Sequence, residues 1–199
     1  MLKIINILLI IYGLYVFNLV IAGETNLPEI CPNAVTREQW GGQAPEFINY
    51  TIFPIDYVII HHTVSPSCTT KDSCSELVRN IQNYHMEPSL DFGDIGYNFL
   101  IGGDGKVYEG RGWHKEGAHT IGYNKNSIGI AFIGTFTNVA PPSVQLQAAK
   151  DLLECGVKLG ELSENYKLYG GKQVISTESP GAKLFKKIKK WPHFAAPEE

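Results

Sequence analysis

The sequence predicts an α/β fold, a central mixed β-sheet flanked by helices. Three observations carry that expectation. Short aliphatic runs, YVIIH (57–61), YNFLI (97–101) and SIGIAFIG (127–134), have the length and composition of buried strands. Stretches between and after them repeat apolar residues at helical spacing, with Ser, Pro and Gly at the joints. Strands that alternate with helices imply a sheet covered by those helices.

At 199 residues the chain suits one domain with one substantial core. It is 44% hydrophobic and 19% charged, which sets it apart from disordered compositions. A formal charge of −3 argues against a nucleic-acid partner, which needs a basic face. The N-terminus falls outside the fold. Met1-Leu2-Lys3 gives a short positive start, positions 4–21 are almost wholly apolar, and Ala22-Gly23 ends the run before Glu24. That is the layout of a secretory signal peptide over 1–22, cleaved after Ala22, followed by a single domain over 23–199 that carries no membrane anchor. The rival reading is a transmembrane anchor, since the run approaches the ~20 residues that span a bilayer. Asn6, Gly13 and Asn18 weaken it.

Within the domain, the strand at 57–61 comes first. Ser73-x-x-Glu76 reads as a capping box that opens a helix with an apolar stripe of Cys74, Leu77, Val78, Ile81 and Tyr84. YNFLI and KVYEG flank GGDG as a hairpin. SIGIAFIG is the next strand. After Pro141-Pro142, Ser143 caps a long helix with Leu146, Ala149, Leu152 and Leu153 on its stripe, ending at Gly160. A last helix begins at Ser179-Pro180 and packs Leu184, Phe185, Ile188 and Trp191. The four cysteines allow three pairings. The short string CTTKDSC favours Cys68–Cys74, which leaves Cys31 for Cys155. Without a Cys-x-x-Cys pair, the cysteines do not suggest a zinc site.

Polar residues gather at the element ends. His61 and His62 close a strand, Tyr97 opens another, His85 closes a helix, and Trp113, His119 and Asn124 stand in a Gly-rich loop region. One such histidine alone is more often a hydrogen-bonded structural group. Together, at strand ends and in the loops after them, they point to a groove.

The strings VIIHHT, QNYHM, DIGYNFLIGGDGKVYEGRGW, GAHTIGYN, SIGIAFIGTF, LLECGV, STESPG and WPHF, in this order from Cys31 to Phe194, resemble the peptidoglycan recognition proteins, in particular their short secreted insect form. The resemblance implies a fold similar to bacteriophage-type zinc amidases, with a domain core over about 31–194, a groove for muropeptides and a Cys68–Cys74 bridge. Catalytic relatives hold zinc through the first histidine of HHT, a histidine in a GHRD-like string and a cysteine before Pro-Gly, with the tyrosine of GYNF beside them. Carried over, His61 and Tyr97 match, but the second histidine falls on Gly171 and the cysteine on Ser179. Glycine cannot bind metal, and a neutral hydroxyl is a poor zinc ligand beside a thiolate. No zinc, no other cofactor and no amidase activity are expected. Read structurally, Ser179 is a helix cap and Gly171 part of a tight turn. The enzymatic alternative is a weak peptidoglycan hydrolase, either residual amidase or a serine peptidase using Ser179 with Thr177 nearby, which would need an adjacent base.

By the same resemblance, His61, His62, Thr63, His85, Tyr97, Trp113, His119 and Asn124 line the groove, and Arg111 supplies a charge for a stem carboxylate. Asp91-Phe92 resembles binders of lysine-type peptidoglycan, so that type is expected to be preferred. The family setting implies a secreted, haemolymph receptor of innate immunity, a glucan-binding-protein family co-receptor and Toll-type signalling.

Overall fold

The computed structural model describes residue 31 and residues 33–197. The expected signal peptide, with cleavage after Ala22, lies outside the described residues. Among these residues no helix is long and apolar enough to cross a membrane.

The strands are β1 (Ala34–Val35), β2 (Ile55–His62), β3 (Phe99–Ile101), β4 (Val107–Glu109), β5 (Ser127–Phe132) and β6 (Leu162–Gly170). They form one mixed sheet in the order β1-β4-β3-β5-β2-β6. β3 and β4 pair antiparallel as the GGDG hairpin, and the other neighbours run parallel. β2 and β5 lie inside the sheet, and their continuous aliphatic runs are buried on both faces. β6 was not expected. It is an edge strand, and its polar residues Ser163, Glu164 and Asn165 conceal it from a search for apolar runs.

The helices are α1 (Arg37–Trp40), α2 (Lys71–His85), α3 (Ser143–Lys158) and α4 (Ala182–Ile188). α2 starts earlier than expected, because Thr70, not Ser73, is the N-cap. The Thr70 hydroxyl accepts from the Ser73 N–H at 3.2 Å and the Ser73 hydroxyl accepts from the Thr70 N–H at 3.3 Å, a capping box one turn upstream. Neither other serine caps its helix. α3 begins at Ser143 itself after an extended Pro142, and α4 begins after Gly181. Ser179 is thereby free for the sheet face.

Each sheet face has its own core. Val58, Ile60, Ile128, Ile130, Phe132 and Leu168 meet Ala149, Leu152 and Leu153 of α3 and Leu184 and Ile188 of α4. On the other face Leu100, Tyr108 and Ala131 meet Trp40 of α1 and Cys74 and Val78 of α2. Tyr84 departs from the expected stripe and is 56% exposed. Beside α2 the same face carries the polar cluster described below.

Both disulfides pair as the sequence suggests, Cys68 with Cys74 and Cys31 with Cys155. Their sequence separations are 6 and 124, so they restrict the unfolded chain very differently. Replacing Cys31 and Cys155 by serine is expected to lower stability by about 5 kcal/mol, against about 2 kcal/mol for the Cys68–Cys74 pair, in urea unfolding. Equal losses would show that the long loop is not what the first bridge constrains.

Candidate functional site

Strand parity sorts the candidate residues before any contact is considered. On β2, Ile60 pairs with Ile130 on the α3 face, while His61 pairs with Ala131 on the α2 face. His62, paired with Phe132, is therefore turned away from the groove. Its ring nitrogen Nδ1 accepts the Phe136 N–H at 3.1 Å. Its expected groove contact is thus corrected: only its backbone reaches that side, donating its N–H to the Ser179 hydroxyl at 3.1 Å.

His61 is 4% exposed and stands at the centre of a chain of polar contacts. Its Nδ1 lies 3.3 Å from the Ser179 Oγ, and its Nε2 lies 3.0 Å from the Thr120 Oγ1. The same Thr120 oxygen lies 2.9 Å from the His119 Nδ1. Gly129 makes the arrangement possible, since a Cβ there would stand 2.4 Å from the His119 ring. Asn124 holds the loop, its Oδ1 accepting from the N–H groups of His119 and Thr120 at 3.0 and 2.8 Å. The buried Asn98 ties the same loop region to the sheet. Its Nδ2 donates to the carbonyls of Gly112 and Lys115, and its Oδ1 accepts the Gly129 N–H.

Tyr97 lies between two imidazoles, with ring centroids 5.7 Å from His61 and 5.6 Å from His85. His85 ends α2, accepts the Gly96 N–H at 2.9 Å and meets the Phe92 ring at 5.2 Å. Asp91 is exposed beside Phe92, with a left-handed φ of 52°. Thr63 closes the other end, its hydroxyl accepting the Gly134 N–H at 3.0 Å and contacting the Ser65 hydroxyl. The Thr177 hydroxyl accepts the Ser179 N–H at 3.2 Å.

Two more expectations are corrected. Trp113 is 3% exposed and packs on Phe99 within the α3-side core, where a Cβ on Gly156 would meet its ring at 2.5 Å. It does not line the groove. Arg111 is 5% exposed, and its guanidinium holds backbone: Nε donates to the Ile95 carbonyl, Nη1 to that of Glu116 and Nη2 to that of Phe92. It braces the two loops that flank the groove rather than presenting a free charge.

His61, His85 and His119 are neutral at physiological pH. Burial, then the neighbouring His62, holds His61 down to about 4. Burial, then the Arg111 charge, does the same for His85, with Asp94 opposing. His119 is held well below its usual range by burial, then by His61 and Arg111. Burial pushes the Tyr97 phenol up to about 12, so it stays protonated and can donate.

Sequence reading missed Thr120, although it adjoins His119 in the string GAHT. It also missed an aromatic cluster on the β2–β6 margin, where Tyr57 and Tyr169 stack at 5.9 Å and Tyr123 meets both edge-on. A separate concavity of about 570 Å³, lined by Lys150, Leu153, Tyr166 and Trp191 among others, contains none of the expected site residues.

The zinc positions of the amidase pattern do converge in space. A Cβ on Gly171 would lie 2.9 Å from the His61 ring and 3.4 Å from the Ser179 carbonyl oxygen. The side chains at this point are one imidazole, a hydrogen and a hydroxyl, which do not fit a zinc ion's need for three strong ligands. Among the described residues no three His, Cys, Asp or Glu side chains are placed to hold a metal.

Comparison with known proteins gives a consistent set. The family model described as N-acetylmuramoyl-L-alanine amidase matches residues 52–182. Peptidoglycan-recognition protein SA of Drosophila melanogaster is 54% identical over 167 residues, 84% of this chain and 82% of that protein. The solved structure of Drosophila PGRP-SA superposes with a TM-score of 0.82 at 53% identity, covering 84% of this chain and 97% of that one. Human PGRP-IBETAC, solved in complex with glycosamyl muramyl pentapeptide, superposes with a TM-score of 0.80 at 42% identity, covering 83% and 99%.

Because the folded imidazoles titrate below the unfolded value near 6.5, the unfolded chain binds more protons between about pH 6.5 and 4. The stability they contribute is complete above that window and is lost as pH falls through it. Urea midpoints are expected to fall from pH 7 to 4.5, and imidazole NMR titrations of His61 and His85 to centre near 4. Midpoints near 6.5 would show that these rings are not sequestered as described.

Proposed function

The chain belongs to the peptidoglycan-recognition proteins, a family built on the N-acetylmuramoyl-L-alanine amidase fold, and from that premise we propose that it is an extracellular receptor that binds bacterial peptidoglycan without cleaving it. The observation that carries the proposal is the meeting of His61, Gly171 and Ser179, where an amidase needs three metal ligands. Around them the groove presents neutral imidazoles, a protonated phenol and hydroxyls. These suit the amides and sugar hydroxyls of a muropeptide, and human PGRP-IBETAC, with the same fold, holds such a ligand. His61, Thr63, His85, Asp91, Phe92, Tyr97, His119 and Thr177 with Ser179 form the ligand surface in this reading. His62, Trp113, Arg111 and Asn124 hold it in shape.

A serine peptidase is the second reading, favoured by the 3.3 Å approach of Ser179 Oγ to His61 Nδ1. Against it, an imidazole held down to about 4 is a weak base, and no carboxylate orients it through Nε2, which faces Thr120 instead. Downstream, the proposal places this protein with a glucan-binding-protein-type co-receptor at the head of Toll-type signalling, as befits an insect-type member of the family.

The stem preference follows from charge. Asp91 is exposed at the groove mouth beside Phe92 and favours an ammonium over a carboxylate. Arg111, with three N–H groups already on carbonyls, is less able to compensate than a free arginine would be.

Two measurements test the proposal. The double substitution Gly171→His, Ser179→Cys is expected to confer stoichiometric zinc, read by elemental analysis, once the His61 ring shifts to admit the new side chain. The unsubstituted protein retains none after dialysis and releases no stem peptide from muropeptides. Zinc bound by the unsubstituted chain, or release of stem peptide, would overturn the non-catalytic reading. In calorimetry, lysine-type muropeptides are expected to bind tighter than diaminopimelate-type by about tenfold, roughly 1–2 kcal/mol after screening at an exposed site. Asp91→Asn should erase most of that difference, and tighter binding of the diaminopimelate type would reverse the assignment.

A further inference from the structure

The last helix carries charge that the groove does not use. Residues 179–197 contain five lysines, Lys183, Lys186, Lys187, Lys189 and Lys190, and no Asp or Glu, flanked in the sequence by Glu178 on one side and Glu198 and Glu199 on the other, in a chain whose formal charge is −3. α4 buries Leu184 and Ile188 against the sheet and leaves Lys183, Lys186 and Lys187 exposed, and Lys189 and Lys190 are exposed in the turn that follows it. Among the described residues, no carboxylate pairs with any of them. Lys189 brings its ammonium group to 5.9 Å from the Phe185 ring, and Lys172, paired with Glu178 at 3.8 Å, lies 5.8 Å from the same ring.

A solubilising role accounts for part of this. Lys186 and Lys187 in the last turn complement the helix dipole. It does not account for the pattern. Lys183, Lys186 and Lys187 follow an i, i+3, i+4 spacing and so share one side of α4, and Lys189 and Lys190 continue the row into the turn that follows it. Lysines so placed repel one another, and an anion laid along the row relieves that repulsion.

The chemistry of the row narrows the partner. Ammonium groups are compact charges with rotatable donors, suited to tetrahedral sulfate or phosphate esters, whereas planar carboxylates favour the arginine fork, and this stretch has no arginine. A membrane surface would be gripped by exposed apolar side chains beside the charges, and α4 shows no large exposed hydrophobic residue. A basic cluster of this density is the pattern of a polyanion site. We infer that the outer face of α4 binds a linear sulfated polysaccharide. Its meeting such a polymer rests on the extracellular reading above. α4 packs on the sheet face opposite His61, so the polymer and a groove ligand can be held at once.

The test uses the mature chain and fluorescein-labelled heparin oligosaccharide in anisotropy titrations, with neutral dextran, poly(glycerol phosphate) and phosphatidylserine vesicles as parallel probes. One variant replaces Lys186, Lys187, Lys189 and Lys190 by glutamine. A second makes the same charge change at Lys71, Lys106, Lys125 and Lys158. Heparin should bind at ~0.15 M salt with an affinity that falls steeply as salt rises. The α4 variant should lose at least about tenfold, and the second variant less than about threefold, since the loss follows position rather than net charge. Peptidoglycan pull-down should be unchanged in the α4 variant. Absence of heparin binding, equal loss in both variants, or tighter binding to poly(glycerol phosphate) or vesicles than to heparin would overturn the inference. Failure of peptidoglycan pull-down with heparin binding intact would instead count against the groove reading alone.

Discussion

Asp94 is a carboxylate with 2% exposure, and a charge so buried persists only if its lone pairs are met. Oδ1 accepts from Arg37 Nη1 at 2.8 Å, from Gln82 Nε2 at 2.8 Å and from the Ile95 N–H at 2.7 Å, and Oδ2 accepts from Arg37 Nη2 at 2.6 Å. These donors come from α1, from α2 and from the loop that leads to Tyr97. One carboxylate therefore fixes where the N-terminal segment, the helix over the groove and the loop bearing Asp91 and Phe92 stand relative to one another. Arg111 completes the brace by tying that loop to the one that carries His119. A pair of this kind costs about 3–5 kcal/mol when one partner is lost, because the other is left charged and buried.

The groove floor follows the same rule without charge, except at His119 Nε2, which is buried with no hydrogen-bond partner. Its imidazoles are neutral, and each needs a partner that can donate or accept according to the tautomer. A hydroxyl can do both, so Thr120 serves His61 and His119 together, and Ser179 serves His61 and the backbone of His62. A catalytic metal would replace these compromises with a fixed tautomer and a strong field. Glycine at 171 leaves a surface of weak, adjustable donors and acceptors, which fits holding a ligand better than polarising one of its bonds.

The inner strands β2 and β5, the GGDG hairpin, the inward faces of the helices and both disulfides were legible because burial writes itself into apolar runs, turn residues and cysteine spacing. β6 was not, since an edge strand facing water on part of its length looks like a loop. The caps were misplaced because a serine shows what could cap, while the backbone entering the helix decides what does. Within the site, His61, Tyr97, His85 and His119 come together as expected. His62 could have been set apart, as its parity with Val58 and Ile60 was on the page. Which face of a strand buried on both sides carries the groove was not. Trp113 and Arg111 were misjudged because chain proximity to a groove says nothing about which way a loop turns its side chains.

The bridge between Cys31 and Cys155 closes a ring around most of the domain, including β2, α2, the hairpin and the loop of His119. A single peptide-bond cut anywhere inside that ring leaves one covalent molecule, with both new ends still attached through the sulfurs. The loops that carry Asp91 and His119 can therefore be nicked without the pieces separating. A first cut inside the ring is thus an injury from which the fold can hold its shape.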